Sequence, residues 1–306
     1  MKSLNKKFAV ISVIFLLITS LLSASPVDKE ATFKVQSGDI LDVKLSQGNV
    51  TISTSSNSEV KVIAKNIDDG ETGLLVMEQK ANKVDVQFKG DDSDDFELEL
   101  TIPAGLSIEI KTGGGNVTIN NDLNGKISIT SGGGNISAKN INGMTDISTG
   151  GGNINVGVIS GSADISTGGG NINLDGAAGK VEVSTGAGNI NLKNIKGSVE
   201  VSTGAGNITV ELYPDGTSRS ELNAGIGDIS LYLPSNSKAT IMASVNEFHW
   251  GESENTPSNI NSDFDVTTYD KKGHGKPSEA VYQLNGGGSI IELNTTMGEI
   301  NIKKLK

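Results

Sequence analysis

The phrase Thr-Gly-Gly-Gly-Asn, or a near copy of it, recurs six times in this chain, starting at Thr112, Ser131, Thr149, Thr167, Thr185 and Thr203. The asparagines that anchor it are Asn116, Asn135, Asn153, Asn171, Asn189 and Asn207, spaced by 19 residues once and then by 18 residues four times. A fixed period near 20 residues marks stacked coils, in which each repeat buries its apolar side only by lying on its neighbours. An ordinary globular core has no use for such a period, so the repeat sets the architecture first.

The coil Lys180 to Gly197 shows the construction. Val181 and Val183 alternate with Glu182 and Ser184; after Gly186-Ala187-Gly188 and Asn189, Ile190 and Leu192 alternate with Asn191 and Lys193. Alternation with β-branched residues predicts strands with one dry and one wet face. The glycines between them predict a corner with close backbone approach or positive φ. Three inward columns follow from the period. The first is Ile110, Ile129, Ile147, Ile165, Val183, Val201 and Leu222; the second is Val117, Ile136, Ile154, Ile172, Ile190, Ile208 and Ile229. The third, looser one holds Ile141, Ile159, Ala177 and Ile195. Columns of like residues fit strands that pair in parallel with their copies one coil later, about 4.8 Å away. The expected fold is all-β, a single-chain parallel β-solenoid of about 18 residues per coil. A right-handed β-helix is preferred to a left-handed one, because parallel crossovers are right-handed as a rule.

The polar columns are equally regular. The corner asparagines form one ladder, and Asn155, Asn173 and Asn191 form a second on the outer face. Thr149, Thr167, Thr185 and Thr203 point inward by parity. Their hydroxyls are placed to satisfy backbone groups freed at the glycine corner.

Outside the repeats the pattern loosens. Residues 31–106 show short strands at Ala31 to Val35, Ile40 to Val43, Val50 to Ser53, Val60 to Ile63, Val84 to Phe88 and Phe96 to Ile102. They are expected to cap the first open coil. Regular repeats occupy 107–236. Residues 237–306 are irregular, with a long polar loop expected at 252–277 before strand pattern returns. The whole of 26–306 is expected to form one domain. Residues 1–25 have the form of a signal peptide: Lys2, Lys6 and Lys7, then the apolar run Phe8 to Leu22, then small residues to Ser25. The run is shorter than the roughly 20 residues a membrane span needs, and no Cys follows it to carry a lipid anchor.

Removing a leader with three lysines and no acid takes the formal charge from −11 to −14. That balance excludes nucleic acid and anionic membrane surfaces as natural partners. With no cysteine and only 4% aromatic residues, the chain depends on backbone pairing and thin columns of Val, Ile and Leu.

The strand Leu100-Thr-Ile-Pro-Ala-Gly-Leu-Ser-Ile-Glu-Ile-Lys-Thr112 opens the repeats, the Gly-Asn-Ile corners follow, and then Gly227-Asp228-Ile229-Ser-Leu-Tyr-Leu-Pro234. The stretches Leu284-Asn-Gly-Gly-Gly-Ser289 and Gly298-Glu299-Ile300-Asn-Ile302 close the set. Taken in order, these stretches resemble the bacterial putative-adhesin family, a domain of unknown function related to the head domains of autotransporter adhesins. The resemblance covers roughly Ala31 to Lys306. It implies a β-solenoid on an exported protein and brings no catalytic residues with it.

Candidate sites are few. Beside the first apolar column the outward positions are Glu109, Ser128, Asp146, Asp164, Glu182, Glu200 and Glu221. Such a ridge either binds divalent cations or a cationic surface, or is a solvated edge that keeps the molecule soluble. Asp91, Asp92, Asp94 and Asp95 read as a charged turn, and Phe248-His249-Trp250 as a packing cluster, with His249 and Trp250 the alternative ligand-contact patch. No constellation suggests a catalytic site, a resident metal or a cofactor. The glycine phrase lacks the carboxylates of a calcium β-roll and the following helix of a dinucleotide loop. The expected function is therefore non-catalytic: an exported adhesin or envelope scaffold, periplasmic, cell-surface or secreted. Its expected partners are surface or envelope components, protein or glycan. The alternatives are a carbohydrate-active β-helix enzyme and an envelope-sensing partner of a membrane regulator.

Overall fold

Val and Ile at every second position, with Ser, Thr, Asn or a carboxylate between, favour extended chain that packs on one side and is wetted on the other. In the computed structural model each coil from Ser107 to Leu233 resolves into two such strands flanking the glycine corner. The structure describes residues 27–68, 70–90, 96–246, 259–270 and 278–305. Among them are 27 strands and one 3-10 turn, Thr72–Leu74. The strand before each corner joins a 14-stranded sheet, and the strand after it joins a 13-stranded sheet.

The register is the one the period predicts. Ile147 lies beside Ile165 and Ile165 beside Val183; Ile154 lies beside Ile172 and Ile172 beside Ile190. The third column runs Leu123, Ile141, Ile159, Ala177, Ile195, Leu212. All three columns are buried and belong to one continuous apolar cluster that reaches from Val35 to Ile302. Each fully buried Val, Ile or Leu contributes about 1.5–3 kcal/mol, so the stack holds itself together without large aromatics. Phe88 and Phe96 are an exception at the first end, stacked with ring centroids 4.1 Å apart.

At both ends the order in the stack departs from the order in the chain. Strands Ile40–Leu45 and Asn49–Ser55 do not lie outermost. They sit between the coil that starts at Ser107 and the strands Lys83–Phe88 and Glu97–Pro103. At the far end, Ser289–Met297 lies between Arg219–Ile226 and Ala239–Val245. Likewise, Ile300–Lys304 lies between Ile229–Leu233 and Ile260–Ser262. Antiparallel strands cover three of the four sheet ends, and the parallel strand Ile260–Ser262 stands at the fourth. Glu59–Ile67 flanks Glu97–Pro103 and carries Val27–Lys34 outside it, Leu75–Lys80 flanks Lys83–Phe88, and Ser278–Leu284 with Thr268–Asp270 flanks Ala239–Val245. A reversal of direction spoils the parallel template that an open coil would offer to other chains.

Three details differ from the sequence reading. The first capping strand begins at Val27, and Leu75–Lys80 is a strand that the pattern did not reveal. The stretch 252–277 is not loop throughout, since it contains strands Ile260–Ser262 and Thr268–Asp270. These are three residues long and are fixed by pairing rather than by local pattern. The leader 1–25, the acidic cluster Asp91 to Asp95, and the Phe248-His249-Trp250 cluster with His274 lie outside the described residues.

Candidate functional site

The corners take up their own polar groups. Thr149 Oγ1 donates to the Gly134 carbonyl at 2.8 Å, Thr167 to Gly152 at 2.9 Å, and Thr185 to Gly170 at 3.0 Å. Each reaches back to the coil before. Asn153 Oδ1 accepts the backbone N–H of Asn171 at 2.9 Å, and Asn171 Oδ1 accepts that of Asn189 at 2.8 Å. The same bond joins Asn49 to Asn116 at the start, and Asp228 to Glu299 at the finish. Buried Thr hydroxyls and laddered amides are thus committed to the backbone, and the repeated phrase is a structural corner.

The outer face of the 14-stranded sheet carries the carboxylate row. Its register order is Asp85, Asp42, Glu109, Ser128, Asp146, Asp164, Glu182, Glu200, Glu221, Glu292, which is nine carboxylates in ten rungs. Glu109 to Glu221 are visible from the 18-residue spacing. Asp85, Asp42 and Glu292 are not, because the end coils join the stack out of chain order. Lysines and the single arginine partner only part of the row. Lys44 and Lys83 pair with Asp42, Lys111 with Glu109, Lys180 with Glu182, and Arg219 with Glu292. Asp146, Asp164 and Glu200 have no basic partner among the described residues. Among those residues no three carboxylate or imidazole groups converge to hold a metal ion. The row is linear, and a linear array of like charges is a surface rather than a chelate.

Two aspartates of this row titrate in opposite senses. Burial, then the charges of Asp146 and Glu182, push the Asp164 carboxyl up. Asp42 is only 2% exposed, and burial pulls it upward too, but hydrogen bonds and charge from Lys44 and Lys83 outweigh this and hold it below its ordinary value. A raised folded-state pKa costs stability above the ordinary carboxylate value and is relieved as pH falls through the raised one; a lowered pKa contributes stability that is lost as pH falls. Asp164→Asn is therefore expected to stabilise the chain at neutral pH by roughly half a kcal/mol, the gain vanishing in acid. Asp42→Asn is expected to destabilise it by about 2 kcal/mol at neutral pH, the loss shrinking in acid. Thermal unfolding followed from neutral to acid pH separates the two; parallel curves would contradict both assignments.

The 13-stranded sheet has a different outer face. One outward row runs Thr51, Thr118, Ser137, Asn155, Asn173, Asn191, Thr209, Ser230, Asn301, Asn261, ten rungs without a charge. Asn173 Nδ2 donates to Asn155 Oδ1 at 2.9 Å, so part of this row is itself laddered.

Concavity occurs on the 14-stranded sheet. A shallow depression of about 300 Å³ lies over Asp146, Asp164 and Glu182, edged by Lys126, Lys180 and Met144. A larger cleft of about 520 Å³ lies near the C-terminal end of the stack. Gly204 and Gly225 border it, with Ser202, Asn223, Asn294 and Ser244 beside them and Thr296 and Asn246 in the outer coils. Sequence reasoning did not find this cleft, because it is assembled from coils whose order is inverted. The described residues place neither His249 nor Trp250 in any site.

The family model described as Toastrack DUF4097 matches residues 39–303. No curated protein matches the chain. A solved structure described as a "putative adhesin" from Bacteroides fragilis is 16% identical with a TM-score of 0.47, over 92% of this chain and 99% of that one. Another so described, from Parabacteroides distasonis, is 14% identical with a TM-score of 0.46, over 92% and 98%. A "putative lipid binding protein" from the same species is 13% identical with a TM-score of 0.34, over 91% and 97%.

Proposed function

Because the chain belongs to the Toastrack DUF4097 family, a domain of unknown function, we propose on the geometry of its own surface that it is a non-catalytic binding protein of the bacterial envelope. The observation that carries this reading is the arrangement of its outer faces. Polar groups stand in straight rows repeated from coil to coil, one row acidic and one uncharged. Catalysis needs an acid, a base or a nucleophile brought together around one reacting atom. Rows offer instead many equal contacts along an extended partner, such as a surface polymer, and weak equal contacts add through multivalency. Arg219, the only arginine, is held by Glu292 at 2.7 Å.

The leader-like residues 1–25 support export, and no described helix is long and apolar enough to cross a membrane. Fractionation with protease shaving of intact cells tests the location. The chain is expected in the envelope or medium and to be lost to protease added outside. Protection from that protease would count against adhesion. Turnover of a polysaccharide that stops in Glu200→Gln would replace the binding reading with the enzymatic one.

A further inference from the structure

The cleft near the C-terminal end differs in chemistry from everything around it. Eight side chains with neutral polar ends line it; the hydroxyls of Thr203 and Thr295 are spent on the Gly188 and Gly227 carbonyls, which leaves Ser202, Asn223, Ser244, Asn246, Asn294 and Thr296. No charged residue is among its lining. The neighbouring row of the same sheet carries Glu221 and Glu292, so the cleft is neutral ground beside an acidic border. Its amides are held in place. Asn294 Nδ2 donates to Asn223 Oδ1 at 3.0 Å, and Asn223 Nδ2 donates to Glu221 Oε1 at 2.9 Å. The carboxylate orients the first amide and the first orients the second, so a ligand meets groups whose rotamers are already chosen.

The glycine corner explains why a hollow exists here. The first glycine of the phrase stands at Gly186, Gly204 and Gly225, and the equivalent positions in the two outer coils are Thr296 and Asn246. Backbone without side chains therefore gives way to two polar side chains, and these close the end of the hollow. A volume of about 520 Å³ lies within the range of small-molecule sites, roughly 300–1,000 Å³.

We propose that this cleft is a binding site for a neutral saccharide of one or two sugar units, held by hydrogen bonds from the amides and hydroxyls of Ser202, Asn223, Ser244, Asn246, Asn294 and Thr296. Sugar hydroxyls both donate and accept, as these side chains do. Anions are disfavoured by Glu221, and a hard cation finds no carboxylate in the lining. The site rests on the binding-protein reading above and gives it a ligand class and a place.

The test is calorimetric titration of the mature chain with maltose, cellobiose, lactose and chitobiose, each checked by saturation-transfer NMR. At least one disaccharide is expected to bind. Asn294→Ala and Ser244→Ala are each expected to weaken it about tenfold, the loss of one well-placed hydrogen bond, while Asn173→Ala on the opposite sheet leaves it unchanged. Ser244→Ala alters a half-buried hydroxyl on the outer face and keeps the test valid if Asn294→Ala fails to fold. Absence of binding by all four sugars, equal binding by the cleft variants, or binding of a neutral tetrapeptide in their place would overturn the proposal. The surface reading fails separately: a chain protected in intact cells that still binds a disaccharide keeps the cleft and loses adhesion, and an exposed chain that adheres to cells but ignores the sugars does the reverse.

Discussion

Gly152→Ala is expected to lower the melting temperature by about 5 °C, whereas Gly151→Ala, one residue away, is expected to leave it nearly unchanged. A Cβ at Gly152 would fall 2.0 Å from the carbonyl oxygen of Gly134 and 2.4 Å from its carbon, both fixed backbone of the coil before. Neither atom can turn aside as a side chain would. Relief requires the two coils to part at the corner, which also lengthens the Thr149 bond to the Gly134 carbonyl and the ladder bond from the Asn153 N–H to Asn135 Oδ1. The cost is that of overpacking a core, about 3 kcal/mol, which for a chain of this size is roughly a 5 °C shift. A Cβ at Gly151 meets nothing within 4 Å, and the chain places alanine at the equivalent positions, Ala187 and Ala205. Thermal denaturation of the two variants side by side is the measurement. Equal melting temperatures would mean that the coils are not packed as closely as described.

Deletion of Ala163 to Lys180, a whole coil, is expected to leave a folded, cooperatively melting protein. Deletion of Ala163 to Gly179, one residue fewer, is expected to abolish it. Removing 18 residues sets Val183 beside Ile147 and Ile190 beside Ile154, the same partners by kind that they have now, and Val181 beside the buried Thr145 in place of Ala163. Each polar ladder closes in the same way. Removing 17 inserts a residue of slack, and the side-chain period of two then forces a choice between a broken corner and an inverted strand. Inversion would turn Val181 and Val183 to water and Glu182 to the core, where an unpaired carboxylate costs several kcal/mol. Circular dichroism with a thermal melt distinguishes the outcomes. A shorter chain that folds equally well at either length would show that the register is set by something other than the repeat.

The middle of this molecule was legible from one line of sequence, and the ends were not. In the repeats, local pattern and tertiary partner coincide. Ile165 is flanked by Ile147 and Val183 both in the written columns and in the sheets. At the ends the partner is remote in the chain. Asp42 lies beside Glu109 and Asp85, and Glu292 beside Glu221, although nothing in the spacing of these residues announces it. The acidic row was thus read at its centre and missed at its tips. The cleft was missed for the same reason, since Asn223, Asn294 and Ser244 become neighbours only once Ser289–Met297 is placed ahead of Ala239–Val245 in the stack. Strand Leu75–Lys80 escaped because it is an edge: an edge strand needs little apolar pattern, and all six of its residues lie on half-wetted or exposed positions without strict alternation.

The inverted order at the C-terminal end has a consequence in time. A chain that emerges from its N-terminus completes Arg219–Ile226 first, then Ala239–Val245, and only about fifty residues later Ser289–Met297. In the interval the open rung of Arg219–Ile226 faces a strand with the right alternation that is not its final neighbour. Ala239, Ile241, Ala243 and Val245 are buried on one face just as Ile291 and Leu293 are. Early docking of Ala239–Val245 would occupy the place and would have to be undone when the last coil arrives. A placeholder docked there would have to leave before Ser289–Met297 could take its place, so the inverted order leaves room for a detour at this end that the in-order coils do not have.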